Sequence, residues 1–315
     1  MNNNTTIVTV CDKGFIWAAY LLIASLRYNN VNAPVHVLGR DFTNKDAELL
    51  EQFGDVKIIE TSDKRPAMLL KPEAILTADT EYIIWIDADC IVTGDVTKYL
   101  VASGESFQIP LRTEEQTERL YRTYFGTLGE DERIPKVVLK TWKTDVGEND
   151  SPAIETTCMT YCFMLHRKYL DFIKKWHSQI LKVVNKAYNF VGILDKESLA
   201  YHMADESVLN SLFAFAHDAP TMVPISEYLR DKTLHSYLVH FSNIPKPWTM
   251  WRLEHMKYFD AVTATIEWTQ NKGYKTLPIP WSLKRKNKLI CYSLAYIYKF
   301  AEKIRNRLRR KIYKP

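Results

Sequence analysis

The chain has 315 residues, of which 46% are hydrophobic and 25% are charged. A chain of this size can bury a full core, as one large domain or as two smaller ones. It contains only 10 glycines and 13 prolines, which excludes the collagen-like and low-complexity classes. The formal net charge is +5, yet residues 282–315 alone carry +11, so residues 1–281 carry the difference, −6. The composition therefore indicates a mildly acidic globule with a strongly basic tail.

The five cysteines are an odd number and include no C-x-x-C pair. This pattern argues against a disulfide scaffold or a structural zinc site and favours a reducing cytosol. The longest uncharged stretch, residues 14–26, is 13 residues long, whereas a membrane-spanning helix needs about 20. Residues 1–11 carry no positive side chain and no small-residue cleavage site follows, so we expect a buried helix rather than a signal peptide.

Short apolar runs predict four strands in the first part of the chain, at residues 6–10, 35–38, 56–59 and 82–86. Helical patterns separate these strands, at residues 17–28, 43–53 and 68–76. Thr43 with Asp46 three residues later matches a capping box at the start of the second helix. This alternation predicts the α/β class, with an open, doubly wound sheet.

The middle of the chain changes character. Residues 112–155 are charged and contain glycine, and they are typical of an excursion from the core or a lid. Two further helices are predicted, at residues 168–184 and 205–215. Residues 240–252 are rich in Pro and Trp and should form an ordered loop.

The strand predicted at residues 82–86 is apolar at every position and ends in Asp87-Ala88-Asp89. Ligands of open α/β sheets bind beyond the carboxyl ends of the strands. Two carboxylates at such a point can reach one divalent cation. The sequence has no G-x-G-x-x-G or Walker-type phosphate loop, so a carboxylate-held metal is the other common way to neutralise a diphosphate. The alternative is that both aspartates simply end the strand and begin a turn.

Residues 83–92, Ile-Ile-Trp-Ile-Asp-Ala-Asp-Cys-Ile-Val, resemble the D-x-D segment of GT-A-fold glycosyltransferases. The similarity is greatest to the retaining family that includes bacterial lipopolysaccharide galactosyl- and glucosyltransferases and glycogenin. The resemblance implies a GT-A, Rossmann-like catalytic domain over residues 1–281, built on a mixed, mainly parallel sheet with helices on both faces. Residues 112–155 would form a lid or an acceptor-side excursion. The resemblance also implies that Asp87 and Asp89 bind a manganese ion that bridges the diphosphate of a UDP-sugar.

A second match lies far downstream. His240-Phe-Ser-Asn-Ile-Pro-Lys246-Pro-Trp248 resembles the family's H-[FY]-x-G-x-x-K-P-W segment, with the His-to-Lys spacing preserved. The resemblance implies that His240 completes the metal shell and that Lys246 contacts phosphate. Asn243 stands where the family usually has Gly, and the resemblance implies that the backbone amide of Asn243 reaches the phosphate of the donor. An imidazole among carboxylates favours Mn²⁺, with Mg²⁺ as the alternative, and Trp248 and Trp251 are candidate walls of the sugar site or members of the core.

A third match begins at Ala204-Asp205-Glu206-Ser207-Val208-Leu209-Asn210, which is similar to the family's D-Q-D-x-L-N helix start. By this resemblance Asp205 would bind hydroxyls of the donor sugar. Glu206 replaces the Gln that relatives place beneath the anomeric carbon, and could act as a nucleophile or as a base. The alternative is two acids favoured by the helix dipole. The resemblance also places Asp12 near the uracil edge and Lys71 near the donor phosphates, with solvated surface charge as the alternative for both.

Together these matches imply a metal-dependent glycosyltransferase. It would move a hexose from a UDP-sugar to a saccharide or lipid-linked acceptor in surface polysaccharide synthesis, with retention. The rival is a haloacid-dehalogenase-type phosphohydrolase with Asp87 as its nucleophile. Against that rival, the motif follows three β-α units, and its fifth position is Ile91 rather than Thr or Val.

The tail, residues 282–315, joins two basic clusters through an apolar and aromatic stretch. Residues 284–288 read Lys-Arg-Lys-Asn-Lys, and seven more Lys or Arg follow at 303–314. At helical pitch, residues 289–298 form an apolar face, as in helices that lie on anionic membranes. We therefore expect a peripheral protein on the cytoplasmic face of a membrane. The alternatives are nucleic-acid binding and a flexible, solvated tail. Nucleic acid is disfavoured as a partner because the body of the chain is acidic and lacks a recognition motif.

Overall fold

A computed structural model describes residues 4–97, 99, 106–126, 128–129, 132–187, 198–226, 229 and 237–312. Residues 313–315 of the expected tail, and residues 127 and 130–131 of the expected excursion, lie outside this part of the chain.

The strands of the described residues are β1 (Thr5–Asp12), β2 (Val35–Arg40), β3 (Val56–Thr61), β4 (Tyr82–Ile86), β5 (Cys90–Val92), β6 (Phe107–Ile109), β7 (Cys162–His166), β8 (Met222–Pro224) and β9 (Leu238–His240). The α-helices of the described residues are α1 (Ile16–Tyr28), α2 (Asn44–Glu51), α3 (Lys71–Ile75), α4 (Glu114–Phe125), α5 (Lys136–Val146), α6 (Leu170–Ala187), α7 (Asp205–Phe215), α8 (Phe259–Asn271) and α9 (Lys288–Ile312). The strands and helices expected in the first part of the chain are therefore present, with shifted ends.

The main sheet has seven strands in the order β3-β2-β1-β4-β7-β6-β8. Strands β1 to β4 run parallel to one another, β7 is antiparallel to both of its neighbours, and β8 is parallel to β6. Only β7 therefore opposes the common direction of the sheet. The expected mixed, mainly parallel sheet is confirmed.

Apolar side chains cover both faces of this sheet. Alternate residues of β4 enter different cores: Ile84 and Ile86 pack with α1 and α8, whereas Ile83 and Trp85 pack with α3, α6 and α7. All four side chains are fully buried. Burial of each such side chain contributes about 1.5–3 kcal/mol. A strand that is apolar at every position is thus explained by helices on both faces.

A second, two-stranded sheet pairs β5 with β9 in antiparallel register, and Cys90 lies opposite His240. Its strands come from distant parts of the sequence. The backbone N–H of Phe241 donates to the carbonyl of Asp89 at 2.9 Å and extends the ladder by one step. This short sheet therefore fixes residue 240 beside the acidic pair.

Local signals explain the ends of two helices. Thr43 and Asp46 form the expected capping box of α2, with each side chain bound to the other residue's backbone N–H. The helix expected at residues 68–76 is instead a 3₁₀ turn, Ala67–Leu70, followed by the short α3. Pro72 lies in the first turn of α3. A backbone N–H at that position would have no intrahelical acceptor, so the N–H that proline lacks costs the helix no hydrogen bond.

Residues 112–155 carry α4 and α5 and also contribute to the core. Tyr121 and Trp142 are buried, and the Trp142 indole donates to the carbonyl of Ala200 at 2.9 Å. The segment is thus anchored on one side of the sheet. Its role as a lid or an acceptor-side element stays a prediction.

The first half of α9 packs on the body of the protein. Cys291 and Ala295 are buried in the core, and the Trp251 indole donates to the carbonyl of Ser282 at 2.7 Å. About two helical turns after Ala295, Glu302 pairs with Arg252 at 3.2 Å. Among the described residues no helix is both long and apolar enough to span a membrane.

Candidate functional site

A cavity of about 710 Å³ opens at the carboxyl ends of β1 and β4. This is the edge where ligands of open α/β sheets bind. The expected site residues that line it are Asp12, Lys71, Asp87, Asp89, Asp205, Glu206, His240, Asn243 and Lys246. Residues separated by more than 200 positions in the chain therefore meet in one place.

Asp87 follows β4 directly and is held by three contacts. Its Oδ1 accepts from the Trp85 indole N–H at 2.8 Å and lies 2.9 Å from Lys71 Nζ. Its backbone N–H donates to the carbonyl of Tyr161 at 2.8 Å. Its second carboxylate oxygen, Oδ2, is 3.7 Å from His240 Nε2. The carboxylate is therefore fixed at the cavity wall with Oδ2 toward the imidazole.

Asp89 lies between Lys246 and His240. Lys246 Nζ is 2.6 Å from Oδ2, and His240 Nε2 is 3.3 Å from Oδ1. Burial alone would raise the pKa of this carboxyl. Its interactions with His240 and Lys246 outweigh burial and hold the pKa of Asp89 well below its usual range. Asp89 is thus a carboxylate at neutral pH.

One ligand atom from each of Asp87, Asp89 and His240 lies within 4.8 Å of the other two. Two carboxylate oxygens and an imidazole nitrogen are a donor set that suits Mn²⁺ and also accommodates Mg²⁺ or Zn²⁺. All three residues are partly exposed to the cavity, so an ion bound there keeps open positions for a ligand. The residues present therefore fit the expected divalent cation.

Lys71 joins Asp87 to the start of α7. Its Nζ is 2.9 Å from Asp205 Oδ2 as well as 2.9 Å from Asp87 Oδ1, and it donates to Thr160 Oγ1 at 3.2 Å. Burial opposes its charge, but the two carboxylates raise the pKa of the ammonium. For Asp205 the balance is reversed, because burial outweighs Lys71 and raises the pKa of the carboxyl to about 6. Lys71 is thus a buried ion-pair residue, and the surface-charge alternative is wrong for it.

Glu206 has two partners that the sequence did not indicate. Arg112 Nη2 donates to Oε1 at 2.6 Å, and the backbone N–H of Thr160 donates to Oε2 at 3.3 Å. The side chains of Arg112 and Glu206 are each only 11% exposed. Glu206 therefore has a buried ion-pair partner in addition to its favourable place at the start of α7.

The loop after β9 carries Asn243 and Lys246. Asn243 has a φ of 71°, in the left-handed region, and Asn adopts that conformation more readily than most residues. The replacement of the family's usual Gly is therefore compatible with the same turn. The ammonium of Lys246 is held by the carbonyl of Phe241 at 2.6 Å as well as by Asp89.

The remaining expected residues occupy different positions. Asp12 caps the 3₁₀ turn after β1 by accepting from the Phe15 N–H at 3.2 Å, and it accepts from Arg40 at 3.0 Å. Trp248 packs edge-on against Phe15 at 6.0 Å and is not among the described residues that line the cavity. Trp251 is fully buried in the core. Trp251 as a wall of the sugar site is therefore wrong, and its core alternative is correct.

Three residues at the site were missed: Arg112, Thr160 and Tyr161. The Tyr161 ring stacks on the His240 imidazole, and the backbone carbonyl of Tyr161 accepts from the backbone N–H of Asp87. Residues 158–161, Cys-Met-Thr-Tyr, stand where the glycosyltransferases that this sequence resembles have F-N-x-G, and that correspondence was the available signal for Thr160 and Tyr161. Nothing distinguishes Arg112 from the other charged residues of its segment.

Comparisons with known proteins bear on the fold. No family model matches the sequence, and no curated protein matches it. Among solved structures, the glycosyltransferase GlyE of Streptococcus pneumoniae TIGR4 aligns with a TM-score of 0.50 at 14% identity, over 87% of this chain and 64% of GlyE. WbbM, a bifunctional glycosyltransferase, aligns with a TM-score of 0.54 at 13% identity, over 90% of this chain and 51% of WbbM.

This chain thus spans less than two thirds of either protein. At such low identity the likeness concerns the arrangement of strands and helices. It agrees with the fold class expected from the sequence. The chain has the GT-A fold of the glycosyltransferases GlyE and WbbM.

Proposed function

We propose that this chain is a metal-dependent glycosyltransferase that moves a hexose from a UDP-sugar to a saccharide or lipid-linked acceptor. The observation that carries the proposal is the convergence of Asp87, Asp89 and His240 on one point of the cavity. The fold, shared with glycosyltransferases, supports the same class of reaction. We place the reaction in the synthesis of a surface polysaccharide.

Transfer breaks the bond between the anomeric carbon and the diphosphate, so the leaving group gains negative charge. A divalent cation at the Asp87–Asp89–His240 site would supply a Lewis acid beside that charge. Lys246 lies next to the same site and its ammonium can move from Asp89 to an oxygen of the diphosphate. Fixed positive charge at the leaving group is the usual means of stabilising such a transition state.

The start of α7 faces the sugar in this proposal. Asp205 is held by Lys71 and by the hydroxyl of Thr160, which donates at 3.0 Å. A carboxylate so placed can accept from sugar hydroxyls and orient the ring. Glu206 lies beside it, and we propose that the anomeric configuration is retained.

The rival phosphohydrolase is not favoured. It would need the Asp87 carboxylate as a nucleophile, but Oδ1 of Asp87 is bound by Trp85 and Lys71. GlyE and WbbM, whose solved structures have a similar fold, are glycosyltransferases. The position of Asp87 after the fourth strand of the chain also differs from a motif that opens the fold.

The deciding experiment measures binding of UDP, CDP and GDP by calorimetry with Mn²⁺ and with EDTA. We expect UDP to bind at least about tenfold more tightly with Mn²⁺ than with EDTA, a difference of about 1.4 kcal/mol. A screen of UDP-sugars for metal-dependent hydrolysis then identifies the donor, and NMR of the product reports its anomeric configuration. Turnover of a phosphomonoester with Mg²⁺ and no UDP binding would establish the rival instead.

We also propose that α9 binds the cytoplasmic face of an anionic membrane and so holds the protein there. The face of α9 opposite the buried Cys291 and Ala295 is apolar and aromatic. Its most exposed large side chains are Leu289 at 82%, Tyr296 at 62% and Phe300 at 62%. The exposed cations Lys299 and Lys303 flank them. Apolar rings between lysines match the requirements of an interfacial helix.

Deletion of residues 282–315 would remove core contacts of Ser282 and Cys291, so point variants are the better test. We expect Tyr296→Ser with Phe300→Ser to lower binding to vesicles containing phosphatidylglycerol at least tenfold, because two rings leave the bilayer. Tyr28→Ser, at an exposed ring on α1, is the control and should bind as the parent does. Equal sedimentation of the parent, the double variant and the control with the vesicles would refute membrane binding through α9.

A further inference from the structure

The carboxylates that line the cavity each have a cation beside them. Arg40 pairs with Asp12 at 3.0 Å and Lys246 pairs with Asp89 at 2.6 Å. A single ammonium, that of Lys71, serves both Asp87 and Asp205. The remaining carboxylate of the cavity wall, Glu206, has Arg112 as its partner.

Arg112 comes from outside the segments that resemble known glycosyltransferases. It follows β6, and its guanidinium crosses to the first turn of α7. There Nη2 donates to Glu206 at 2.6 Å, while Nη1 donates to the carbonyl of Cys158 at 2.5 Å and to Thr157 Oγ1 at 3.2 Å. These bonds hold the guanidinium in one orientation and aim one of its nitrogens at the carboxylate.

A buried carboxylate without a partner is costly. At this place it would also repel a diphosphate, since Asp87, Asp89 and Asp205 already line the same cavity. If Arg112 did not compensate Glu206, that carboxylate would compete for Lys71 and Lys246, the ammonium groups that line the same cavity.

We propose that Arg112 is the dedicated counter-ion of Glu206 and positions it at the sugar end of the cavity. The pair is electrically neutral, so it leaves Lys71 to Asp87 and Asp205 and leaves Lys246 for the donor diphosphate. In this arrangement Glu206 is held as an orienting group, in place of the neutral amide that resembling proteins have there. This inference rests on the proposed function.

If Arg112 is the counter-ion of Glu206, a neutral residue at position 112 should be tolerated once residue 206 is neutral too. The test is a double-mutant cycle with Arg112→Met, Glu206→Gln and the double variant. We expect each single variant to lower kcat/KM for UDP-sugar turnover at least tenfold. The double variant should regain most of that loss, since no unpaired charge remains.

Thermal unfolding gives a second readout that needs no turnover. Arg112→Met should lower the unfolding midpoint by about 5 °C or more, and adding Glu206→Gln should restore at least half of that shift. Arg119→Met removes an exposed arginine of α4 and is the control for loss of charge in the same segment. It should change neither readout.

Additive losses in the double variant would overturn the proposal, because Arg112 and Glu206 would then act independently. Recovery of the midpoint without recovery of kcat/KM would make Arg112 a structural partner only and would overturn its positioning role. A parent protein that neither binds UDP nor turns over UDP-sugars contradicts the proposed function. In that case the midpoints of the four proteins still decide whether Arg112 is the counter-ion.

Discussion

The imidazole of His240 lies nearly parallel to the ring of Tyr161, with centroids 5.1 Å apart and planes inclined by 16°. The carbonyl of Tyr161 accepts from the Asp87 N–H at 2.8 Å, and its phenol donates to the carbonyl of Leu229 at 3.1 Å. Tyr161 thus touches two of the three candidate metal ligands without offering a ligand atom. Groups that orient ligands in this way commonly matter nearly as much as the ligands.

Replacement of the Tyr161 ring should therefore weaken metal binding. We expect Tyr161→Leu to raise the Mn²⁺ concentration for half-maximal UDP binding about 10-fold or more, because the imidazole loses its stacking partner. Tyr161→Phe keeps the ring and loses only the bond to Leu229, so it should stay within about threefold of the parent. A calorimetric Mn²⁺ titration with UDP present measures both variants. Equal midpoints for Leu and Phe would contradict an orienting role.

His240 itself should be needed for metal affinity more than for folding. We expect His240→Ala to raise the Mn²⁺ requirement at least about tenfold, while thermal unfolding without metal changes little because the side chain is partly exposed. His166→Ala is the matched control, since His166 pairs with Tyr82 at the opposite end of β4 from Asp87. The prediction fails if both histidine variants require the same Mn²⁺ concentration.

Lys71 should contribute to stability as well as to the site. Its ammonium is 6% exposed and lies between two carboxylates, so Lys71→Met leaves both of them without their shared cation. We expect a loss of about 3–5 kcal/mol in the free energy of unfolding, measured by urea denaturation. Lys57→Met, at an exposed position of β3, should change it by less than about 0.5 kcal/mol.

Stability should fall in mild acid because of His255. Burial lowers the pKa of this imidazole to about 4 from an ordinary value of 6.5, and the positive charges of Arg252 and Lys246 add to that effect, although Glu254 opposes it. The unfolded chain therefore takes up a proton between pH 6.5 and pH 4 that the folded chain does not. The stabilisation is complete above pH 6.5 and is lost as the pH falls through this window.

His255→Leu keeps the ring's apolar contact with Phe241 in part and removes the titrating group. We expect the variant to show a shallower fall of the urea midpoint between pH 6.5 and pH 4.5 than the parent. Parallel curves for the two proteins would rule out His255 as a source of the pH dependence.

The two aspartates of the site could be predicted because charged side chains are unfavourable at the end of an apolar, buried strand. Asp87 and Asp89 end a strand that is buried on both faces, and charges there need partners. His240 and Lys246 were predictable because a fixed spacing joins them in a segment that resembles a known motif. For both groups, the evidence lies in consecutive residues.

Arg112 and Tyr161 could not be predicted because their roles depend on how distant strands pair. Tyr161 precedes β7, and only the antiparallel pairing of β7 with β4 brings it beside Asp87. Arg112 reaches Glu206 because Leu111 forms a β-bridge with Cys158. The position of Trp251 could not be predicted either, because a Trp side chain can form the wall of a sugar site as readily as it can pack in a core.

The pairing of β5 with β9 also sets the order in which the site can be completed during synthesis. Asp89 and Lys246 are 157 positions apart in the chain. A ribosome that has delivered everything up to the end of α7 has supplied both aspartates but neither His240 nor Lys246. The nascent protein therefore cannot assemble the three-residue cation site until β9 has emerged, and any product truncated before β9 would lack the imidazole altogether.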